Sequence, residues 1–300
     1  MASRASSALL RRGLVTAIAA VGFAALGVPA ALGDDTHGGG SNGGSNGGVE
    51  YVNMGDSFSA ASGVLPPAPG APPQCLQSAR NWGHVLADRW DYELTDVSCG
   101  GADTGDYTAP QYPGVPPQVE ALSDETDVVT MTIGGNDNGV FAETIQACGT
   151  AAATTGGTGN PCEQQNGDRF TETIEDDTYP SLVEALETVK SAAPNARIAI
   201  AGYLQILPPE QGCYPIMPVA TGDVPYLNDI QATLNDAVRR AAEAAGVTYV
   251  DVTAVSQGHD ACQPIGTRWI EPAAGGTNPV VVHPNALGAR AMADRAAALD

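Results

Sequence analysis

Residues 128 to 133 read V-V-T-M-T-I. A run so continuously apolar and β-branched has no polar face to turn toward water, so it predicts a strand buried on both sides, as in parallel sheets covered by helices. The rest of the chain supplies the covering. Further strands are predicted at Glu50 to Met54, Tyr92 to Val97, Ala196 to Tyr203 and Val247 to Val252. Between and after them, helical spacing runs through Arg80 to Trp90, Val140 to Ala147, Tyr179 to Ala193, Pro225 to Ala245 and Pro284 to Leu299. Strands alternating with helices define an α/β fold, a three-layer sandwich around a five-stranded parallel sheet.

The ends of the chain set limits on this domain. Arg4, Arg11 and Arg12 precede an apolar run, Leu14 to Leu32, that closes on small residues, the pattern of a secretory signal peptide spanning residues 1–33. Residues 34–48 are a Gly/Ser/Asn-rich linker with no apolar side chain to bury, which leaves 49–300 as one catalytic-sized domain. The Arg11-Arg12 pair lacks the flanking residues of twin-arginine export, so ordinary secretion to the extracellular space is expected, without a stable membrane anchor after processing.

All 34 acids lie beyond residue 33, whereas three of the 13 basic residues lie before it, so the processed chain carries a net charge of −24. That charge disfavours nucleic acid and anionic membrane surfaces as partners and favours neutral ligands. Six cysteines in an exported chain predict three disulfides, among 15 possible pairings. Nearest-neighbour pairing, Cys75 with Cys99, Cys148 with Cys162 and Cys213 with Cys262, gives each bridge an irregular excursion to close. The absence of any C-x-x-C pair argues against a metal site.

In parallel sheets, ligands bind beyond the carboxyl ends of the strands, where the strand order reverses. The sequence puts polar loops there: G-D-S at Gly55 to Ser57, C-G-G-A-D at Cys99 to Asp103 and G-G-N-D at Gly134 to Asp137. With strand order 2-1-3-4-5, all three would meet in one crevice. A nucleophilic serine needs a base and donors aimed at the developing oxyanion. Ser57 and Gly101 can each offer a backbone N–H and Asn136 its side-chain amide. Of the four histidines, His37 lies in the linker and His84 in a helix. His259 sits beside a cysteine, while His283, in V-V-V-H-P-N, precedes the last helix, where it can hang over the strand ends and serve as the base.

This ordered set of blocks resembles the SGNH hydrolase superfamily, the GDSL lipases and esterases, most closely its secreted actinobacterial members, over nearly all of Val49 to Asp300. The resemblance implies a flavodoxin-like sheet, Ser57 as nucleophile, His283 as general base, and Ser57, Gly101 and Asn136 as the oxyanion hole. It favours Gly101 over Gly100, because C-x-G-A is that block's usual form. The family pattern puts an acid three residues before the histidine, and Val280 stands there. The resemblance then implies a Ser–His dyad with the Val280 main-chain carbonyl in the acid's place, Asp260 being a remoter alternative.

Asp56 and Asp137 are read as shaping their turns, and Ser59 as a capping group. The Pro-rich stretch Val64 to Pro73 is either a stiff loop or a wall of the acyl site. The expected function is that of a secreted, monomeric, cofactor-free esterase or lipase acting on small-molecule or lipid esters through an acyl-enzyme. Phospholipid, acetylated polysaccharide or a thioester are narrower alternatives. A binding module gripping phosphate or sugar is the non-catalytic one, opposed by the acidic charge and the lack of G-x-G-x-x-G.

Overall fold

The computed structural model describes residues 48–298. The expected signal peptide and, but for Gly48, the linker lie outside the described residues. Five strands form one sheet in the order β2-β1-β3-β4-β5: β1 (Glu50–Gly55), β2 (Glu93–Asp96), β3 (Val128–Thr132), β4 (Arg197–Ala201) and β5 (Thr248–Val250). Every pairing is parallel. Each residue of β3 is buried, as a strand with no polar face must be when helices cover both sides of its sheet.

The main helices are α1 (Ser57–Ala60), α2 (Trp82–Trp90), α3 (Val140–Thr155), α4 (Tyr179–Ala192), α5 (Val224–Ala245) and α6 (Ala286–Ala297). α2 packs with α6, and α4 with α5. The buried positions of α5 include Leu234, Val238, Ala241 and Ala245, one stripe at helical spacing. α3 outruns its expected end at Ala147 and stops where Gly156 turns left-handed, at φ 62°. α6 begins after Pro284 rather than at it, because Asn285 caps the helix by accepting from the N–H groups of Leu287 and Gly288, and Pro284 pairs in a short bridge with Ile270.

β4 also stops short of the expected Tyr203. There the backbone leaves the sheet to bond a helix: Tyr203 N–H donates to the Asn235 side chain of α5 at 2.7 Å. The three disulfides pair as nearest neighbours, Cys75–Cys99, Cys148–Cys162 and Cys213–Cys262. The first and third tie loops at the carboxyl end of the sheet, and the second ties α3 to the short helix Pro161–Asn166 that follows it. Each contributes on the order of 2–4 kcal/mol. Among the described residues no helix is long and apolar enough to cross a membrane.

Candidate active site

β1 ends at Gly55, whose φ is +108°. A Cβ there would sit 2.1 Å from the Thr132 carbonyl, so only glycine lets the loop that carries Ser57 leave the sheet here. The Gly55 N–H donates to Gln118 Oε1 at 2.7 Å, and Gln118 Nε2 donates back to the Gly55 carbonyl at 3.0 Å. Asp56 then caps α1 by accepting from Phe58 N–H at 2.9 Å, and Ser57 occupies the first helical position.

Ser57 Oγ and His283 Nε2 are 2.7 Å apart, across 226 residues of sequence. Both are buried, with 7% and 9% of their surface exposed, so the pair is shielded yet reachable. His283 Nδ1 lies 2.7 Å from the carbonyl oxygen of Val281. With Nδ1–H donating to that carbonyl, Nε2 carries the lone pair and accepts from the serine hydroxyl. The carbonyl is thus one residue later than expected: it belongs to Val281, not Val280. The cause is Val282, whose φ of 58° turns the chain left-handed and swings the Val281 carbonyl back under the imidazole. Such a conformation is a strained outlier for a β-branched residue, and strain of this kind gathers at functional sites.

The segment carrying His283 is clamped on both sides by one residue. Glu271 N–H donates to the His283 carbonyl at 2.9 Å, and Val282 N–H donates to the Glu271 carbonyl at 2.8 Å. The Glu271 carboxylate is buried and is not among the hydrogen-bond partners of the imidazole, which are Ser57 and Val281. It accepts from Arg268, Thr277 and Asn285. Burial pushes the His283 pKa below its ordinary value of 6.5, against the opposing pull of the Val281 carbonyl, so the ring is a neutral base at neutral pH.

The oxyanion candidates lie on neighbouring loops. Gly100 N–H donates to the Cys75 carbonyl at 2.9 Å, whereas Gly101, at φ +81°, has no acceptor for its N–H among the described residues. Asn136 donates one side-chain hydrogen to the Ala102 carbonyl at 2.9 Å, which fixes the amide plane beside the Gly101 turn and leaves a second hydrogen. Asp137 accepts from the backbone and hydroxyl of Thr104, joining the same two loops.

Asp56 and Asp137 are scaffolding acids, as their turn positions suggested. Asp56 accepts from Thr132 Oγ1 and Tyr203 OH, each at 2.6 Å, and Tyr203 OH in turn accepts from Gly135 N–H at 2.7 Å. One phenol therefore joins the serine loop to the Asn136 loop. Desolvation raises both acids to about 6 despite these hydrogen bonds. Burial and then the Asp56 charge push Tyr203 well above the ordinary phenol range, so it stays a donor. Ser59 is not a cap. Its hydroxyl accepts from the Trp82 indole at 2.9 Å and from Thr132 N–H at 3.1 Å. His259 stacks on Trp269 at 3.9 Å, His84 lies 3.8 Å from Asp96, and Asp260 accepts from Cys262 N–H and Gln263.

An apolar cleft of about 840 Å³, including its open mouth, adjoins the pair. Its walls include Phe141 and Ile145 of α3, Ile230 and Leu234 of α5, and the loop residues Met217 and Val282. The Phe58 and Phe141 rings each lie 5.5 Å from the imidazole, and Phe141 also lines the cleft. No residue of the Pro-rich stretch Val64 to Pro73 lines it. Gln118, Tyr203 and Glu271 also escaped sequence reading, although Tyr203 follows an apolar strand at its carboxyl end, where such groups collect.

The model of the GDSL-like lipase/acylhydrolase family matches residues 54–291, and the chain belongs to that family: it is a carboxylic ester hydrolase of GDSL type. It is 52% identical to Lipase 2 of Streptomyces coelicolor, over 95% of each chain. Its fold is similar to the extracellular lipase of Streptomyces rimosus, with TM-score 0.70 and 23% identity over 84% of this chain and 100% of that one. The phospholipase A1 of Streptomyces albidoflavus NA297 gives TM-score 0.69 and 24% identity over 84% and 99%.

Proposed function

We propose that the chain is a secreted esterase or lipase that cleaves neutral carboxylic esters with apolar acyl groups, using a Ser57–His283 dyad. The observation that carries the reading is the 2.7 Å contact between Ser57 Oγ and His283 Nε2, beside an apolar cleft. Ser57 Oγ attacks the ester carbonyl carbon while Nε2 takes its proton. The N–H groups of Ser57 and Gly101 and the Asn136 amide hold the oxyanion. Collapse returns the proton to the departing alcohol, and water deacylates the serine by the same route. The Val281 carbonyl fills the acid's role: it fixes the tautomer and stabilises the imidazolium as a neutral dipole. Export through a removable leader agrees with three disulfides and the net charge.

The apolar walls favour fatty-acyl esters over acetylated sugars, whose acyl group would leave most of the cleft unfilled. Ser57→Ala is expected to lower kcat on a p-nitrophenyl ester by roughly 10⁶-fold and to abolish fluorophosphonate labelling while circular dichroism is unchanged. A variant that kept its turnover would overturn the dyad.

A further inference from the structure

Among the described residues, Leu65 and Ile265 are the large apolar side chains most open to water, 70% and 69% exposed. Scattered exposed apolar residues are ordinary; these are grouped. Leu65, Ile265 and Leu287 line one groove together with Asn278 and Pro279. Val282, three residues beyond Pro279, lines the acyl cleft along with Ile145. The chain from 278 to 282 thus separates groove from cleft, and Val281, 44% exposed, stands on it. An apolar belt runs from the groove, over the segment that carries His283, to the mouth of the cleft.

The belt is also free of net charge in a very acidic protein. No Asp, Glu, Lys or Arg occurs between Asp56 and Arg80, between Glu143 and Glu163, between Glu210 and Asp223, or between Glu271 and Arg290. These four stretches hold most of the exposed apolar residues. The two charged residues of the groove, Arg268 and Glu271, neutralise one another at 2.8 Å and are buried.

We infer that this belt docks the enzyme on an uncharged lipid–water interface, the surface of an aggregated neutral ester. The inference rests on the ester-hydrolase reading and adds where the substrate is met. Uncharged apolar side chains transfer favourably into such a surface, while an anionic one would repel the acidic remainder of the protein. An ester could then pass from the lipid into the cleft without crossing water. A second copy of the chain is the poorer occupant, since it would cover the mouth of the cleft.

The test compares wild type with the triple variant Leu65→Ser, Ile265→Ser, Leu287→Ser, none of which touches Ser57, His283 or the oxyanion donors. Adsorption is read by depletion of protein onto triolein emulsion, phosphatidylcholine vesicles and phosphatidylglycerol vesicles at low salt. Wild type should deplete onto the first two and spare the third. The triple variant should adsorb to triolein roughly tenfold less or weaker still, and lose emulsion turnover in parallel, with turnover of dissolved p-nitrophenyl butyrate unchanged. Should the triple variant fail to accumulate, Ile265→Ser alone must move in the same direction. Equal adsorption of variant and wild type, preference for phosphatidylglycerol, or a wild-type dimer that the variant dissolves would each overturn the surface. Failure of wild type to hydrolyse the dissolved ester would overturn the hydrolase reading instead.

Discussion

Asp56 and Glu271 do the same work for the two halves of the Ser57–His283 pair. Each is a buried carboxylate that holds a loop bearing one partner, and neither touches the imidazole. Their surroundings differ. Asp56 accepts from neutral donors, the Thr132 and Tyr203 hydroxyls and the Phe58 and Ser59 amides, yet desolvation wins and its pKa rises to about 6. Glu271 suffers desolvation too, but Thr277, Asn285 and the Arg268 charge together outweigh it and hold its pKa below 4.5. At Glu271 the hydrogen bonds from neutral donors already act against desolvation, and the Arg268 charge adds the smallest pull; at Asp56 such bonds fall short of the cost of burial.

The largest expected effect is at Glu271. Glu271→Gln leaves Arg268 buried without its counter-charge and should cost about 3–5 kcal/mol in urea unfolding near neutral pH. Because the folded pKa is depressed, the ionised carboxylate contributes stability that is present above the unfolded value of 4.5 and lost as pH falls through the lowered folded value, so the gap between wild type and variant should narrow there. A gap that does not narrow at low pH would break the contrast.

Asp56→Asn should behave with the opposite sign. The folded pKa is raised, so wild-type stability is fully present below the unfolded value of 3.8 and is lost as pH rises through about 6. Wild type should therefore melt higher relative to this variant near pH 4 than near pH 7, as scanning calorimetry would show. An equal difference at both pH values would mean that the carboxylate is not penalised by burial.

Proton transfer should register neither acid directly. The acidic limb of kcat/KM is expected below pH 6.5, where burial places His283, and Glu271→Gln should leave that limb where it is. A displaced limb would give Glu271 an electrostatic role toward the imidazole. Smallest of all, Val281→Ala should change kcat less than about threefold, because the carbonyl and not the half-exposed side chain meets Nδ1. A large loss there would implicate the packing of Val281 in orienting the ring.

The parts of this site that were legible in the sequence are those that local pattern encodes. Apolar runs mark the strands, G-D-S and G-G-N-D mark their carboxyl ends, and the nearest-neighbour pairing of the cysteines, which sequence by itself could not choose among the 15, is the one found. The acceptor of the imidazole was off by one residue because it depends on a single dihedral at Val282, a residue type that gives no hint of left-handed backbone. Tyr203 and Gln118 act on residues 147 and 63 positions away, and no local pattern encodes such pairs. Ser59 looked like a cap from its place at the start of a helix, yet the indole of Trp82 claims its hydroxyl through tertiary packing.

Gln118 holds Gly55 through both ends of its amide, as a neighbouring peptide unit would. Regular pairing of β1 with β2 ends at Asn53 opposite Asp96, two residues before the nucleophile loop begins. Main-chain bonds reach the same place: Cys99 N–H donates to the Gly55 carbonyl and Asp56 N–H to the Thr132 carbonyl, each at 2.9 Å. The exit of Ser57 from the sheet is therefore braced twice, once by backbone and once by a primary amide. Such redundancy lets either brace be altered without releasing the serine from its place.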